Sequence, residues 1–144
     1  MNIEGEITDN PDQIAEISQR IRTDFVEFAQ TILRDDTGRG LVLAPIHIAW
    51  IAHAQYSWAR GKGCVINAPV SHGKSTGVAV GMPLHALAQD TNIRLKIISA
   101  TDDLAADRVT GIRSIIDNSP EFRTYCPHVR PSKKDREAVS AKKM

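Results

Sequence analysis

Cysteine is scarce. Cys64 and Cys126 are the only two in 144 residues, too few and too far apart for a disulfide scaffold or a zinc cluster, so both read as buried thiols. No run approaches the ~18 apolar residues of a membrane span. The first ten residues hold three acids and no base, which excludes a signal peptide and leaves the cytoplasm as the expected location. There is no internal repeat. Net charge is also nearly absent, at +1, so no general affinity for a polyanion or a membrane surface is expected.

What is present is the composition of one soluble globular domain, with 42% hydrophobic and 24% charged residues. The near-zero charge hides a gradient. Residues 1–40 carry nine acids against four bases, residues 41–129 six against eight, and residues 130–144 two against six. The last stretch reads as a basic, frayed tail able to touch a polyanion locally.

Helical spacing dominates the front of the chain. Asn10 can cap a helix, Pro11 suits its first position, and Ile14, Ile17, Ile21, Phe25, Phe28 and Ile32 form one apolar stripe, predicting a single helix to about Leu33. Residues 35–40 read as a loop. A second helix is expected from Pro45 to Gly61, with Ile46, Trp50, Ala54 and Trp58 on one side at four-residue spacing.

From Cys64 the pattern changes. Cys64 to Ala68 reads as a short buried strand, and a helix is expected from near Gly73 with Pro83 bending or ending it. Ile93 to Ala100 reads as a second strand. Thr101 caps a further helix with Ala105, Val109, Ile112 and Ile116 on its buried face, stopped by Asn118-Ser119-Pro120. Strand, helix, strand, helix implies parallel strands and a right-handed crossover, hence an α/β fold. The expected organisation is an N-terminal helical extension over residues 1–62, an incomplete βαβα core over 63–130 and the tail over 131–144.

Between the first expected strand and its helix stands Ala68-Pro69-Val70-Ser71-His72-Gly73-Lys74-Ser75-Thr76. This is the phosphate-binding P-loop pattern G-x-x-x-x-G-K-[ST] with Ala68 in the place of the first glycine. Such a loop wraps consecutive backbone N–H groups around a phosphate at a helix N-terminus. Gly73 allows close approach, Lys74 suits the β- and γ-phosphates, and the Ser75 hydroxyl suits Mg²⁺. The expected fold class is therefore a P-loop NTPase core fragment, parallel strands flanked by helices, and the expected ligands are ATP and Mg²⁺.

Four stretches together resemble the ATPase domain of the large terminase subunit, the motor that packages DNA into tailed-phage and related capsids. They are Pro45 to Trp50, Ile66 to Pro69 with His72 to Thr76, Pro83, and Ser99 to Pro120, so the resemblance spans residues 25–130. It implies ATP-driven translocation of double-stranded DNA into a procapsid in the host cytoplasm. The implied partners are a portal protein, a small terminase subunit and further copies of the motor. It also implies nucleotide contacts from Ala68, Pro69, Ser71, His72, Gly73, Lys74, Ser75 and Thr76, with Lys74 catalytic. Val70 stands where many such proteins have an arginine, so no cis arginine finger is implied. The family's acidic strand-end motif, coupling motif and nuclease domain have no counterpart in these residues, so the chain reads as the nucleotide-binding front of a larger ATPase.

Other residues keep two readings. His47 and Trp50 either flank the adenine or are a half-exposed histidine beside a core tryptophan. His72 either reaches phosphate or points to solvent. Asp102, with Asp103, either helps hold Mg²⁺ or is acid favoured in a helix's first turn, the simpler account. Asp35 and Asp36 read as solvated turn acids, and Cys126 beside His128 lacks further zinc ligands. Two other functional classes fit the motif: another P-loop ATPase or a nucleotide kinase fragment, and a non-catalytic interaction module that keeps a P-loop as scaffold.

Overall fold

The computed structural model describes residues 7–35, 37–67 and 75–131. Helix α1 (Pro11–Thr23) starts as expected, with the Asn10 side chain accepting from the Asp12 N–H at 3.0 Å. It does not continue to Leu33. Asp24 leaves helical geometry (φ −117°, ψ 118°) and its carboxylate accepts from the N–H groups of Val26 (2.7 Å) and Glu27 (3.2 Å), opening a second helix, α2 (Phe25–Ile32). An aspartate competes for the backbone better as a cap than inside a helix. The predicted stripe survives the break: Ile21, Phe25, Phe28 and Ile32 are buried, and Ile14 and Ile17 pack beside them.

The loop after α2 is organised by Asp35. Its carboxylate accepts from the Thr37 N–H (2.8 Å), the Thr37 hydroxyl (2.7 Å) and the Arg39 N–H (3.0 Å). Gly38 takes φ +81° there, and Arg34 and Gly40 close the turn as an isolated antiparallel bridge.

Helix α3 (Pro45–Ala59) ends in a Schellman motif. Gly61 takes φ +64°, its N–H bonds the Trp58 carbonyl (2.8 Å), and the Lys62 N–H bonds that of Ser57 (2.9 Å). Of the predicted face Ala54 is buried and Trp50 half-buried. Ile51, Ala54 and Ser57 face inward, whereas Ile46 is 51% and Trp58 46% exposed. The helix carries no charged residue, so apolar side chains lie on every side and spacing alone does not select a face.

Residues Ser75–Gly81 form a π-helix that runs directly into α4 (Met82–Gln89). Pro83 has no N–H to give an i→i−4 bond, and the wider turn before it bypasses the missing donor. Gly81 is required by contact: a Cβ there would sit 2.8 Å from Leu33 Cδ1 and 3.1 Å from the Phe25 ring. Helix α5 (Asp102–Asn118) is capped by Thr101, whose hydroxyl accepts from the Leu104 N–H at 3.3 Å. Most of its predicted face is kept, since Ile116 packs against the core and Ala105 is half-buried, and Val109 is the departure. Gly111 faces Val80, Ile112 is buried and Ile115 packs on the core, leaving Val109 53% exposed. Ser119 does more than stop α5: its hydroxyl accepts from the Phe122 N–H (3.1 Å) and starts α6 (Pro120–Tyr125).

The expected parallel α/β core is overturned. Among the described residues there is no strand and no sheet, and the architecture is helical. Cys64 to Asn67 and Ile93 to Ser99 lie outside any helix and enter no ladder among the described residues, and Val65 and Ile98 are 83% and 79% exposed. An apolar β-branched run expresses a local preference for extension, but pairing is non-local and depends on what lies beside the run. Cys64 is correspondingly exposed, not buried; Cys126 is buried as expected.

One core unites the helices. Phe28, Ile32 and Leu33 share this core with Leu84 and Ala88 of α4, Phe122 of α6 and Cys126 just after it. Helix α4 packs on α1 and α2, α6 on α1, α2 and α5, and α5 on the π-helix. Arg34 and Glu121 form a partly buried ion pair that ties the loop after α2 to α6.

Candidate nucleotide-binding site

Of the motif, Ala68, Pro69, Val70, Ser71, His72, Gly73 and Lys74 lie outside the described residues, as does the Ser75 side chain. The backbone of Ser75 starts the π-helix, and Thr76 is exposed. The helical run that follows Lys74 is anchored by Met82, Leu84 and His85, all buried, and by the close approach of Gly81 to Leu33 and Phe25.

His85 is the functional-looking residue that sequence reasoning passes over. It is 3% exposed, yet its Nε2 lies 3.0 Å from the Ile21 carbonyl, and its ring stands edge-on to Phe25 (5.3 Å between centroids) and tilted against Phe28 (4.9 Å). A carbonyl can only accept, so Nε2 carries the proton. One turn on, the Gln89 amide donates to the Arg22 carbonyl at 2.7 Å. Two side chains of α4, four residues apart, thus satisfy two of the last carbonyls of α1. The signal in the sequence was the spacing of His85 and Gln89, which puts both on one helix face; nothing local points to their acceptor. Burial holds the His85 imidazole below its ordinary value, and the carbonyls of Ile21 and Arg22 with Asp24 nearby offset part of that effect.

His47 and Trp50 are brought together, with ring centroids 5.3 Å apart and planes at 57°. Nδ1 of His47 accepts the Ala44 N–H at 3.1 Å, so the ring helps close the first turn of α3. Asp102 and Asp103 are exposed in the first turn of α5 behind the Thr101 cap, the arrangement expected of dipole-complementing acids. No group of three or more metal-ligating side chains occurs among the described residues.

An open cleft of about 350 Å³ between α3 and α4 is lined by Gln55, Trp58, Met82, Gln89, Asp90 and Ile93, with others. Asp90 is the charged side chain of that lining, and an anion there disfavours phosphate. The donor chemistry suited to Mg·ATP, an ammonium and a hydroxyl beside consecutive backbone N–H groups, is that of the Gly73-Lys74-Ser75 segment.

No protein-family model, curated protein or solved structure matches the chain.

Proposed function

We propose that the chain binds Mg·ATP through residues Ala68 to Thr76 as the nucleotide-binding part of a DNA-packaging terminase motor. The observation that carries the binding reading is the order of residues: a Gly-Lys-Ser-Thr sequence followed without interruption by a helical run, Ser75 to Gln89, rooted in the core. A phosphate-binding loop has this need, since its backbone donors and the helix terminus behind it must not shift as charge arrives. The π-helical start adds to this, because such turns recur at functional sites. The packaging role rests on the terminase-like stretches of sequence, with double-stranded DNA, a portal protein and a small terminase subunit as the partners that role requires.

Binding and hydrolysis separate in this reading. Turnover needs an acid to complete the Mg²⁺ site, a group to orient water and, in most such enzymes, an arginine. Val70 occupies the position of a cis arginine, and Asp102 and Asp103 already serve as first-turn acids of α5. The isolated chain therefore binds ATP with hydrolysis near background, and turnover belongs to a form in which neighbouring subunits or further residues supply those groups.

Titration with a fluorescent ATP analogue tests both steps. A charge-assisted hydrogen bond contributes about 1.5–3 kcal/mol, so Lys74→Ala should weaken affinity by roughly ten- to a hundredfold. Equal affinity of mutant and parent would remove the phosphate-binding reading. Steady phosphate release by the parent, abolished by the same substitution, would instead make Asp102 or Asp103 the catalytic metal site.

A further inference from the structure

The cleft between α3 and α4 sets hydrogen-bond acceptors and one negative charge beside apolar walls. Trp58, Met82 and Ile93 supply the apolar part of the lining, and Asp90 supplies the charge. Oδ1 of Asp90 accepts from the Asn92 N–H at 2.8 Å, which leaves Oδ2 for another donor, and Asp90 enters no ion pair among the described residues. The C-terminal end of α4, which Asp90 caps, adds partial negative charge of its own. Gln89 gives its amide to the Arg22 carbonyl, so its Oε1 remains an acceptor.

The most deeply buried polar side chain of the lining is His85. Because Nε2 donates to the Ile21 carbonyl, Nδ1 is an acceptor. No described group donates to Nδ1, yet no buried side-chain nitrogen or oxygen among the described residues lacks a partner. Nδ1 is therefore reached from outside the core, and the opening that His85 lines is this cleft. A side chain only 3% exposed thus keeps one acceptor open to it.

We infer that this cleft binds a small aromatic cation, an arylalkylammonium whose ring carries an N–H. The ring lies against Trp58 and Met82, the ring N–H donates to His85 Nδ1, and the ammonium pairs with Asp90 at the end of α4. Charge sets the class: with one carboxylate and no lysine or arginine in the lining, an anion is disfavoured and an ammonium gains a charge-assisted bond. An indole and a thioether favour an aromatic ring, and the indole face attracts the cation as well. His85 and Asp90 are five positions apart, ~7.5 Å along a helix axis, a separation that a two-carbon link between ring and ammonium bridges. The cleft, about 350 Å³, has the size of a pocket for one small molecule. None of Ala68 to Thr76 is used, so the inference stands apart from the phosphate-binding reading.

Isothermal titration calorimetry of the full chain with tryptamine tests this, because tryptamine has the indole N–H, the two-carbon link and the ammonium. Saturable one-to-one binding is expected. Asp90→Asn should weaken it at least about tenfold while keeping an oxygen for the Asn92 N–H. Trp58→Ala should weaken it comparably, and as Trp58 is no part of the buried core, circular dichroism should show both variants helical. Tryptophol, with a hydroxyl in place of the ammonium, should bind the parent at least about tenfold more weakly than tryptamine and should not distinguish Asp90→Asn from the parent. Tryptamine methylated on the ring nitrogen should also bind more weakly, having no donor for His85. The fluorescent ATP analogue should bind Asp90→Asn and the parent equally. The inference is overturned if tryptamine binding does not saturate, if tryptophol or the ring-methylated amine binds as tightly, or if either variant binds tryptamine like the parent. It is also overturned if Asp90→Asn weakens the ATP analogue as much as it weakens tryptamine, which would make the cleft part of the nucleotide site.

Discussion

Replacing His85 probes how α1 is held at its C-terminal end. In His85→Phe a ring of similar shape remains against Phe25 and Phe28, and only the donor to the Ile21 carbonyl is lost. A buried carbonyl stripped of its partner costs about 1–3 kcal/mol. In His85→Ala the two ring contacts go as well, each worth about 0.5–1.5 kcal/mol, so the loss becomes about 2–6 kcal/mol. Set against a whole-domain stability of about 5–15 kcal/mol, the alanine variant stands close to unfolding. Urea denaturation reads both. With a slope of about 2 kcal/mol per molar, the midpoint should fall by about 0.5–1.5 M for phenylalanine and about 1–3 M for alanine, the slope unchanged. The pH dependence adds an independent signature. Because the folded imidazole is held below its ordinary value by burial, the unfolded chain takes up the proton first as pH falls. The contribution of neutral His85 is therefore complete above about pH 6.5 and is lost as pH drops from there through the depressed folded value. His85→Phe should lack that component. A phenylalanine variant with the parent's midpoint and the parent's acid sensitivity would refute the capping role.

Three further outcomes follow from the same geometry. Asp24→Ala removes both side-chain bonds at the start of α2 and should destabilise the protein by about 0.5–2 kcal/mol in urea denaturation, with Asp24→Asn recovering most of it. A thiol reagent should modify exposed Cys64 in the native protein but reach Cys126 only on unfolding, because Cys126 is buried and its thiol is pushed up to about 11; fast labelling of both would contradict the packing around α6. Gly81→Ala drives a methyl group into Leu33 and Phe25 and should lower stability by about 1–3 kcal/mol, measured by thermal unfolding.

Helix ends were legible from the chain because their chemistry is local. Asn10, Thr101 and Gly61 each act within a few residues, and each closes or opens a helix where its type predicts. Asp24 was legible by the same rule, since Asp24-Phe25-Val26-Glu27 has a capping-box pattern, but the unbroken apolar stripe from Ile14 to Ile32 argued for continuity and masked it. The face of α3 could be read only in part because that helix is apolar all round. The expected sheet failed for a different reason: Val65 and Ile98 have the side chains of strand residues, yet a strand exists only with a neighbour, and no local sequence states whether one is there. The motif itself was the most legible part of the candidate site, being a contiguous word, whereas the His85 and Gln89 contacts join residues 64 and 67 positions apart.

That separation has a consequence for how the molecule assembles. A helix whose last carbonyls are met by its own flanking residues can be complete before the rest of the chain arrives; α1 cannot. Its end is finished by a helix synthesised much later, after a loop closure whose entropic penalty grows only slowly with length. The terminal turn of α1 and the body of α4 therefore gain protection together. In native-state hydrogen exchange their amides belong to one cooperative unit, opening at a shared free energy, while the Asn10 end of α1 frays independently of it.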